Sequence, residues 1–206
     1  MKSSLTFFFL LFILLCPIRL FSEEILAPYR SLIGSQFEKQ VLQFARRAII
    51  NELISTPPPS DSKLKITPLP PTGLFLTLMK GKNVRACIGG FTPSSKDLLS
   101  RIKDLSKEVI YKDLRDRPIS IVEIEELSIV ISFVNDRKEI PNPYDIDFSN
   151  EGLYVAQNGR GFVLLPGETR TLEYGLNKII GRNNFDPKEP LRYVSFKTVS
   201  FDERSQ

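Results

Sequence analysis

Histidine is absent from this chain of 206 residues, and cysteine occurs only twice. Histidine is the usual proton acceptor beside a catalytic serine or cysteine, and it is a common ligand of zinc. Its absence therefore excludes Ser-His-Asp and Cys-His catalysis, histidine-ligated zinc and a histidine-based pH switch. Two cysteines are too few for a four-thiolate zinc cage or an iron–sulfur cluster. The sequence thus indicates no metal site and no cofactor.

A strong excess of charge of one sign is also lacking. The chain has 28 basic and 24 acidic residues, and Lys2 and Arg19 are the basic residues of the first 22 positions, which contain no acid. From residue 23 onward the net charge is therefore only +2. A field this weak does not favour binding to nucleic acid, and we predict no nucleic-acid partner.

The longest apolar run lies at the N-terminus, over residues 5–16. About a dozen apolar residues match the core of a signal peptide and are short for a membrane span. We predict a signal peptide over residues 1–22, cleaved near Ser22, with export to the periplasm or the extracellular space. Membrane contact would then be made through this segment alone. Two alternatives stay open: an uncleaved N-terminal anchor, and lipid attachment at Cys16, although Leu15 stands where a small residue is expected.

Residues 23–206 predict one α+β domain, in which a mixed or antiparallel sheet is flanked by helices. Its single remaining cysteine, Cys87, cannot form an internal disulfide, so the hydrophobic core must stabilise the fold. Apolar periodicity and turn residues place the elements. The predicted elements are a helix over 34–55, a proline-rich loop over 56–72, a hairpin of 73–79 and 84–89, a helix from Ser94 or Ser95 to Tyr111, a strand over 127–134, a hairpin of 152–156 and 161–165 around Asn158-Gly159, a helix from Thr169 or Thr171 that stops at Gly181, and a strand over 193–201.

The chemically suggestive stretch reads NVRACIGGFTP and begins at residue 83. Strand alternation places Arg85 and Cys87 on one face, where the guanidinium would favour the thiolate. Gly89 and Gly90 permit close approach of a ligand or of backbone, and the start of the following helix offers amides to an anion. The alternative is structural: Cys87 is then a core residue and the glycines form a bulge or a turn.

The RACIG sequence of residues 85–89 resembles the Arg-Gly-Cys-Ile-Gly signature of the AMMECR1 domain family, with Ala86 in place of the family's glycine. Further blocks agree in order from about Glu38 to Phe201. This resemblance implies an α+β fold with a larger and a smaller lobe, and an activity that is unsettled. It also implies a link to Memo-like and radical-SAM proteins, beside which members are found. The supporting blocks are GLFLTL at 73–78, DLRDRPI at 113–119, EELSIVIS at 125–132, GLYV at 152–155 and GRGFVLLP at 159–166.

Two functions are compatible with these residues. In the first, the chain is a binding or assembly module that holds a peptide or protein partner, and its oligomeric state is open. In the second, it is an enzyme that uses Cys87 as nucleophile or carrier, oriented by Arg85. Carboxylate or peptidoglycan binding is a third, weaker idea, and Arg85 with Asp113 is alternatively a structural ion pair. The predicted binding residues are Arg85, Gly89, Gly90, Asp113 and Arg115.

Overall fold

A single six-stranded sheet organises the protein, and every pair of neighbouring strands is antiparallel. The computed structural model describes residues 25–57, 69–94, 96–113, 117–182, 185–186 and 188–205. The predicted signal peptide, most of the proline-rich loop and Arg115 lie outside these residues. The elements are α1 (Ala27–Arg30), α2 (Gln36–Leu53), β1 (Gly73–Lys80), β2 (Asn83–Gly90), α3 (Leu98–Tyr111), β3 (Leu127–Ile140), β4 (Glu151–Gln157), β5 (Arg160–Leu164), α4 (Leu172–Arg182) and β6 (Arg192–Asp202).

The strand order is β2-β1-β3-β6-β4-β5, and helices flank the sheet, which confirms the α+β prediction. The larger body packs α1, α2 and α3 against one face of the sheet. Leu127, Ile129, Ile131 and Phe133 all belong to that core, as their alternation along β3 predicts. A smaller body forms around β4, β5 and α4, where Leu153, Val155, Leu164 and Leu176 are buried together.

A buried carboxylate anchors the start of α2 to the end of the sheet. Ser35 caps the helix by accepting the backbone N–H of Glu38 at 3.3 Å, and Glu38 accepts the N–H of Gly34 at 2.6 Å. The arrangement is similar to a capping box, except that the carboxylate accepts the N–H of Gly34, one residue before the N-cap. The other oxygen of Glu38 accepts the N–H of Asp202 at 3.1 Å. Glu38 is only 2% exposed, so its burial is matched by hydrogen bonds to backbone donors.

The N-cap of α3 differs from the prediction. Asp97 is the N-cap, and its carboxylate accepts the backbone N–H of Ser100 at 3.0 Å, which lowers the pKa of Asp97. Ser94 instead accepts the N–H of Lys96 within the preceding loop, and Ser95 is not among the described residues. The prediction of a serine cap is therefore wrong. Asp97 directly precedes the first apolar residue of the helix, where an N-cap is most useful.

We expect Asp97→Ala to lower the free energy of unfolding by about 1 kcal/mol, the usual cost of losing an N-cap. Ser94→Ala should change it by less than about 0.5 kcal/mol, because Ser94 bonds only within an exposed loop. Urea unfolding of both variants measures the difference. An equal loss in the two variants would contradict the assignment of Asp97 as the cap.

Two elements extend beyond their predicted ends. β3 does not stop at Val134, but continues to Ile140 through an irregularity between Asn135 and Lys138, where Asp136 has a φ of 56°. The polar run that follows Val134 suggested a loop, yet pairing with β6 resumes beyond the bulge. Likewise α4 includes Gly181, which is not its C-terminal stop.

The second hairpin agrees with its predicted turn. Asn158 and Gly159, which join β4 to β5, have φ values of 50° and 78°. These left-handed conformations suit Asn-Gly and the twist of a tight hairpin.

Among the described residues, no helix is both long enough and apolar enough to cross a membrane.

Candidate functional site

A groove of about 1630 Å³ opens on the face of the sheet opposite α2 and α3. One bank is the end of β2 together with the residues that follow it, and the other bank is formed by the β4–β5 hairpin and α4. Aromatic rings of Phe75, Phe91 and Tyr154 contribute to its lining. The groove thus lies where the larger and the smaller body meet along the sheet.

Cys87 lies in the lining of this groove and is 8% exposed. The hydroxyl of Thr77 on the neighbouring strand donates to its sulfur at 3.2 Å. The carboxylate of Asp113, which follows α3, accepts the backbone N–H of Cys87 at 2.5 Å. β2 is an edge strand of the sheet, so the N–H of Cys87 has no neighbouring strand on its outer side. The carboxylate of Asp113 supplies the acceptor there. The apolar neighbours of Cys87 are Phe75, Val134, Leu165 and Phe196.

A β-bulge in β2 changes the predicted side-chain alternation. Leu78 pairs with Ala86 but Met79 pairs with Val84, so that Arg85 is the additional residue. Ala86 belongs to the core beneath α2 and α3. Val84 packs against the cluster that contains Cys87, although strict alternation would put Val84 on the face of Ala86.

The guanidinium of Arg85 forms a two-pronged contact with the carboxylate of Glu123, with N–O distances of 3.0 and 3.2 Å. It also donates to the carbonyl oxygen of Arg117 at 3.0 Å. The hydrogen bond from Arg85, assisted by the N–H of Ser120, holds the pKa of Glu123 at about 2, below its usual value of 4.5. The side chains of Arg85 and Glu123 are 9% and 16% exposed. The pair therefore joins β2 to the segment between α3 and β3.

The two glycines of β2 have different surroundings. A Cβ at Gly89 would lie 2.2 Å from the carbonyl oxygen of Leu74 and 2.6 Å from the Cα of Phe75. A Cβ at Gly90 would meet no atom within 4 Å. Gly89 is thus required by the close approach of β1, whereas Gly90 lines the groove and has room for a side chain.

Four of the predicted site residues line the groove: Cys87, Gly89, Gly90 and Asp113. Arg85 is not among the described residues of the lining, and Arg115 lies outside the described chain. The described part of the proline-rich loop contacts the core, because Leu69 packs against it and Tyr29 donates its hydroxyl to the carbonyl oxygen of Pro70.

Sequence reasoning missed the groove residues Phe91, Arg137 and Lys178. Phe91 directly follows Gly90, and an apolar residue next to a glycine pair was a signal of exposed apolar surface that could have been used. Arg137 and Lys178 carried no such signal, because Arg137 stands in a polar stretch and Lys178 is an ordinary charged residue of an amphipathic helix. In the described part of the chain, no group of three or more carboxylate or thiol side chains is arranged to hold a metal ion.

The comparison with protein families agrees with this architecture. The AMMECR1 family model matches residues 42–201, most of the chain, and the protein therefore belongs to the AMMECR1 family. This confirms the resemblance inferred from the RACIG sequence and its flanking blocks.

Two similar proteins carry the comparison further. A Thermotoga maritima protein, named only as "Protein", is 26% identical over 95 residues, which are 46% of this chain and 55% of that relative. The match thus spans about half of the relative. The crystal structure of uncharacterized protein PH0010 from Pyrococcus horikoshii is similar with a TM-score of 0.60 and 23% identity, over 82% of this chain and 92% of PH0010. That likeness concerns the fold alone.

Proposed function

We propose that this AMMECR1-family protein is a binding module whose groove holds an extended segment of a peptide or protein partner. The observation that carries the proposal is the groove itself. Its volume of 1630 Å³ exceeds the range of about 300–1,000 Å³ typical of small-molecule pockets. Its aromatic interior and charged rim match the apolar centre and polar edge of protein interfaces.

The hydrogen bonds around Cys87 support binding ahead of catalysis. Asp113 accepts the backbone N–H of Cys87. Arg85, which the sequence placed beside the thiol, contacts the carboxylate of Glu123. Both contacts join β2 to neighbouring segments of the chain and therefore have a structural role.

The proposal is tested with a library of extended peptides displayed on phage. Gly90→Phe places a large side chain in the open space beside Gly90, within a strand that accepts aromatic residues. We expect the unmodified protein to enrich peptides that Gly90→Phe does not retain. Gly181→Phe is the matched control, because Gly181 also has open space around it and is exposed on α4. Peptides enriched equally by the protein and by Gly90→Phe, or no enrichment at all, would contradict a peptide-binding groove.

A second candidate function is an enzyme that uses Cys87 as nucleophile or carrier. Two observations favour it: the cysteine lines the groove, and Thr77 donates to its sulfur. A hydrogen-bond donor at sulfur stabilises a thiolate.

The reaction of Cys87 with iodoacetamide distinguishes the two functions. Because Cys87 is 8% exposed and packed among apolar side chains, we expect it to react roughly tenfold more slowly in the folded protein than in urea. Mass spectrometry of the peptide that contains Cys87 measures this rate separately from that of Cys16. A folded-state rate above that of the unfolded chain would favour the enzyme, and Thr77→Val should then reduce it.

We also propose that the protein is exported, with residues 1–22 removed. The support is the apolar run over residues 5–16 and the short positive start at Lys2. Mass spectrometry of the protein recovered from its native cells locates the N-terminus. An N-terminus at residue 23 supports cleavage near Ser22, while one at Met1 contradicts it and favours the uncleaved anchor.

A further inference from the structure

An aromatic cluster inside the groove surrounds Phe91. This half-buried ring contacts Phe75, Tyr154 and Phe196 in edge-to-face geometry, with centroid distances of 5.3, 5.5 and 4.9 Å. Such pairs restrain one another and form a rigid apolar surface. The surface that Phe91 offers to the groove is therefore fixed before any partner arrives, which reduces the ordering cost of binding.

The bulge of β3 places a cation on this aromatic cluster. Arg137 lies inside the bulge, directly after Asp136 with its φ of 56°. Its guanidinium carbon is 5.5 Å from the centroid of the Phe91 ring. Bulges of this kind redirect side chains, and they occur often beside binding sites. An arginine on an aromatic face keeps N–H donors available for an anion.

The cations that line the groove differ in their partners. Arg192 contacts Glu139 within the lining, and Lys112 contacts Glu108 outside it. Neither Arg137 nor Lys178 contacts a carboxylate of the described residues. The contacts of the acids are Asp113 with the N–H of Cys87, Asp136 with Lys197, Glu139 with Arg192, and Glu168 with the N–H of Leu165.

We propose that the groove is specific for acidic peptide segments that carry an aromatic or large aliphatic side chain. The apolar side chain packs on the cluster around Phe91, and the neighbouring carboxylate is bound by Arg137, with Lys178 on the opposite bank as the second cation. This inference rests on the proposed binding function and adds the chemistry of the partner. Arginine and lysine both bind carboxylates, and arginine does so with two parallel hydrogen bonds.

A nucleic acid fits this groove less well than an acidic peptide does. Single-stranded nucleic acid needs a row of cations along its backbone in addition to aromatic rings. The lining of the groove holds as many acids as bases, since Asp113, Asp136, Glu139 and Glu168 stand among its cations. Those acids repel a continuous phosphate backbone, whereas a peptide can place one or two carboxylates beside Arg137 and Lys178.

The test is the composition of the phage peptides that depend on the groove, meaning those lost in Gly90→Phe. We expect these peptides to be enriched in Asp or Glu beside Phe, Tyr, Leu or Ile. In the double variant Arg137→Gln/Lys178→Gln the acidic enrichment should disappear while the apolar enrichment remains. Lys107→Gln is the matched control, because Lys107 is an exposed cation of α3 that does not line the groove. A far-UV spectrum and a urea midpoint confirm that each variant is folded.

One enriched peptide, synthesised with a fluorescent label, makes the test quantitative. Its Kd should rise about tenfold or more when its acids are replaced by Gln, and by a similar factor in the double variant. Groove-dependent peptides without acidic preference, or an acidic preference that survives the double variant, would overturn this inference and leave the proposed function intact. A complete lack of groove-dependent peptides would instead contradict the proposed function. Displacement of the peptide by a lower concentration of single-stranded oligonucleotide than of unlabelled peptide would also overturn the inference.

Discussion

Gly89→Ala should destabilise the protein by roughly 3 kcal/mol, the upper part of the range for overpacking, while Gly90→Ala should change stability by less than about 0.5 kcal/mol. At Gly89 the added Cβ would lie 2.2 Å from the carbonyl oxygen of Leu74 and 2.6 Å from the Cα of Phe75. Both are backbone atoms of β1, which is held between β2 and β3 by hydrogen bonds on its two sides. β1 therefore cannot move away without disturbing the centre of the larger body.

The two neighbouring glycines make this a controlled comparison. Gly90 is in the same strand and the same sequence motif, but a Cβ there meets no atom within 4 Å. Replacing glycine by alanine also restricts the unfolded chain, which offsets part of any loss in the folded state. Urea unfolding of the two single variants measures both effects. Equal destabilisation of the two variants would contradict the difference between the positions, and a stable Gly89→Ala would show that β1 can move away from β2.

This asymmetry defines how far a motif can be interpreted from sequence. From the sequence, Gly89 and Gly90 were predicted to permit close approach of a ligand or of backbone. The sequence did not indicate which of the two approaches each glycine. In the structure the backbone of β1 approaches Gly89 closely, whereas Gly90 lines the groove and has no atom near its Cβ position. The distinction depends on the register of the β1–β2 hairpin, which the bulge at Arg85 shifts by one residue.

The fold was more accessible from sequence than the faces of its strands. Alternation along β3 correctly placed Ile129, Ile131 and Phe133 in one core, because a regular strand keeps its period of two. The bulges at Arg85 and between Asn135 and Lys138 were not predicted. A bulge adds one residue without any compositional mark, and it moves every following side chain to the opposite face.

The candidate site shows the same limit. Cys87, Gly89 and Gly90 lie within four consecutive residues, so one motif identified them together. Arg137 and Lys178 reach the groove only because of the strand order and because α4 packs on the smaller body. Single-sequence patterns describe local periodicity and do not contain that pairing.

Arg85→Met should lower the free energy of unfolding by roughly 2–3 kcal/mol at neutral pH, because it leaves the mostly buried carboxylate of Glu123 without its cation. Methionine keeps the apolar stem and removes the charge. Glu123→Gln in the same chain should recover part of this loss, since an uncharged amide costs less to bury than a carboxylate. Urea unfolding of the two single variants and the double variant gives the coupling between the side chains.

The pH dependence of the same variants provides an independent measurement. The pKa of Glu123 is about 2 in the folded protein and 4.5 ordinarily, so the unfolded chain takes up the proton first as the pH falls. The stability contributed by the pair is therefore fully present above about pH 4.5 and is lost as the pH approaches 2. The difference in stability between the protein and Arg85→Met should accordingly shrink between pH 6 and pH 3.

These outcomes separate a structural Arg85 from a ligand-binding Arg85. If the pair stabilises the fold, Arg85→Met lowers the urea midpoint, Glu123→Gln partly restores it, and the effect fades in acid. If Arg85 instead acts mainly on a ligand, the free energy of unfolding stays within about 0.5 kcal/mol of the original at every pH, and peptide enrichment by the groove changes. Because Arg85 and Glu123 are 9% and 16% exposed and bond each other through two atoms on each side, we expect the first result. Arg85 then holds the loop before β3 against β2. β2 also carries Cys87, which lines the groove.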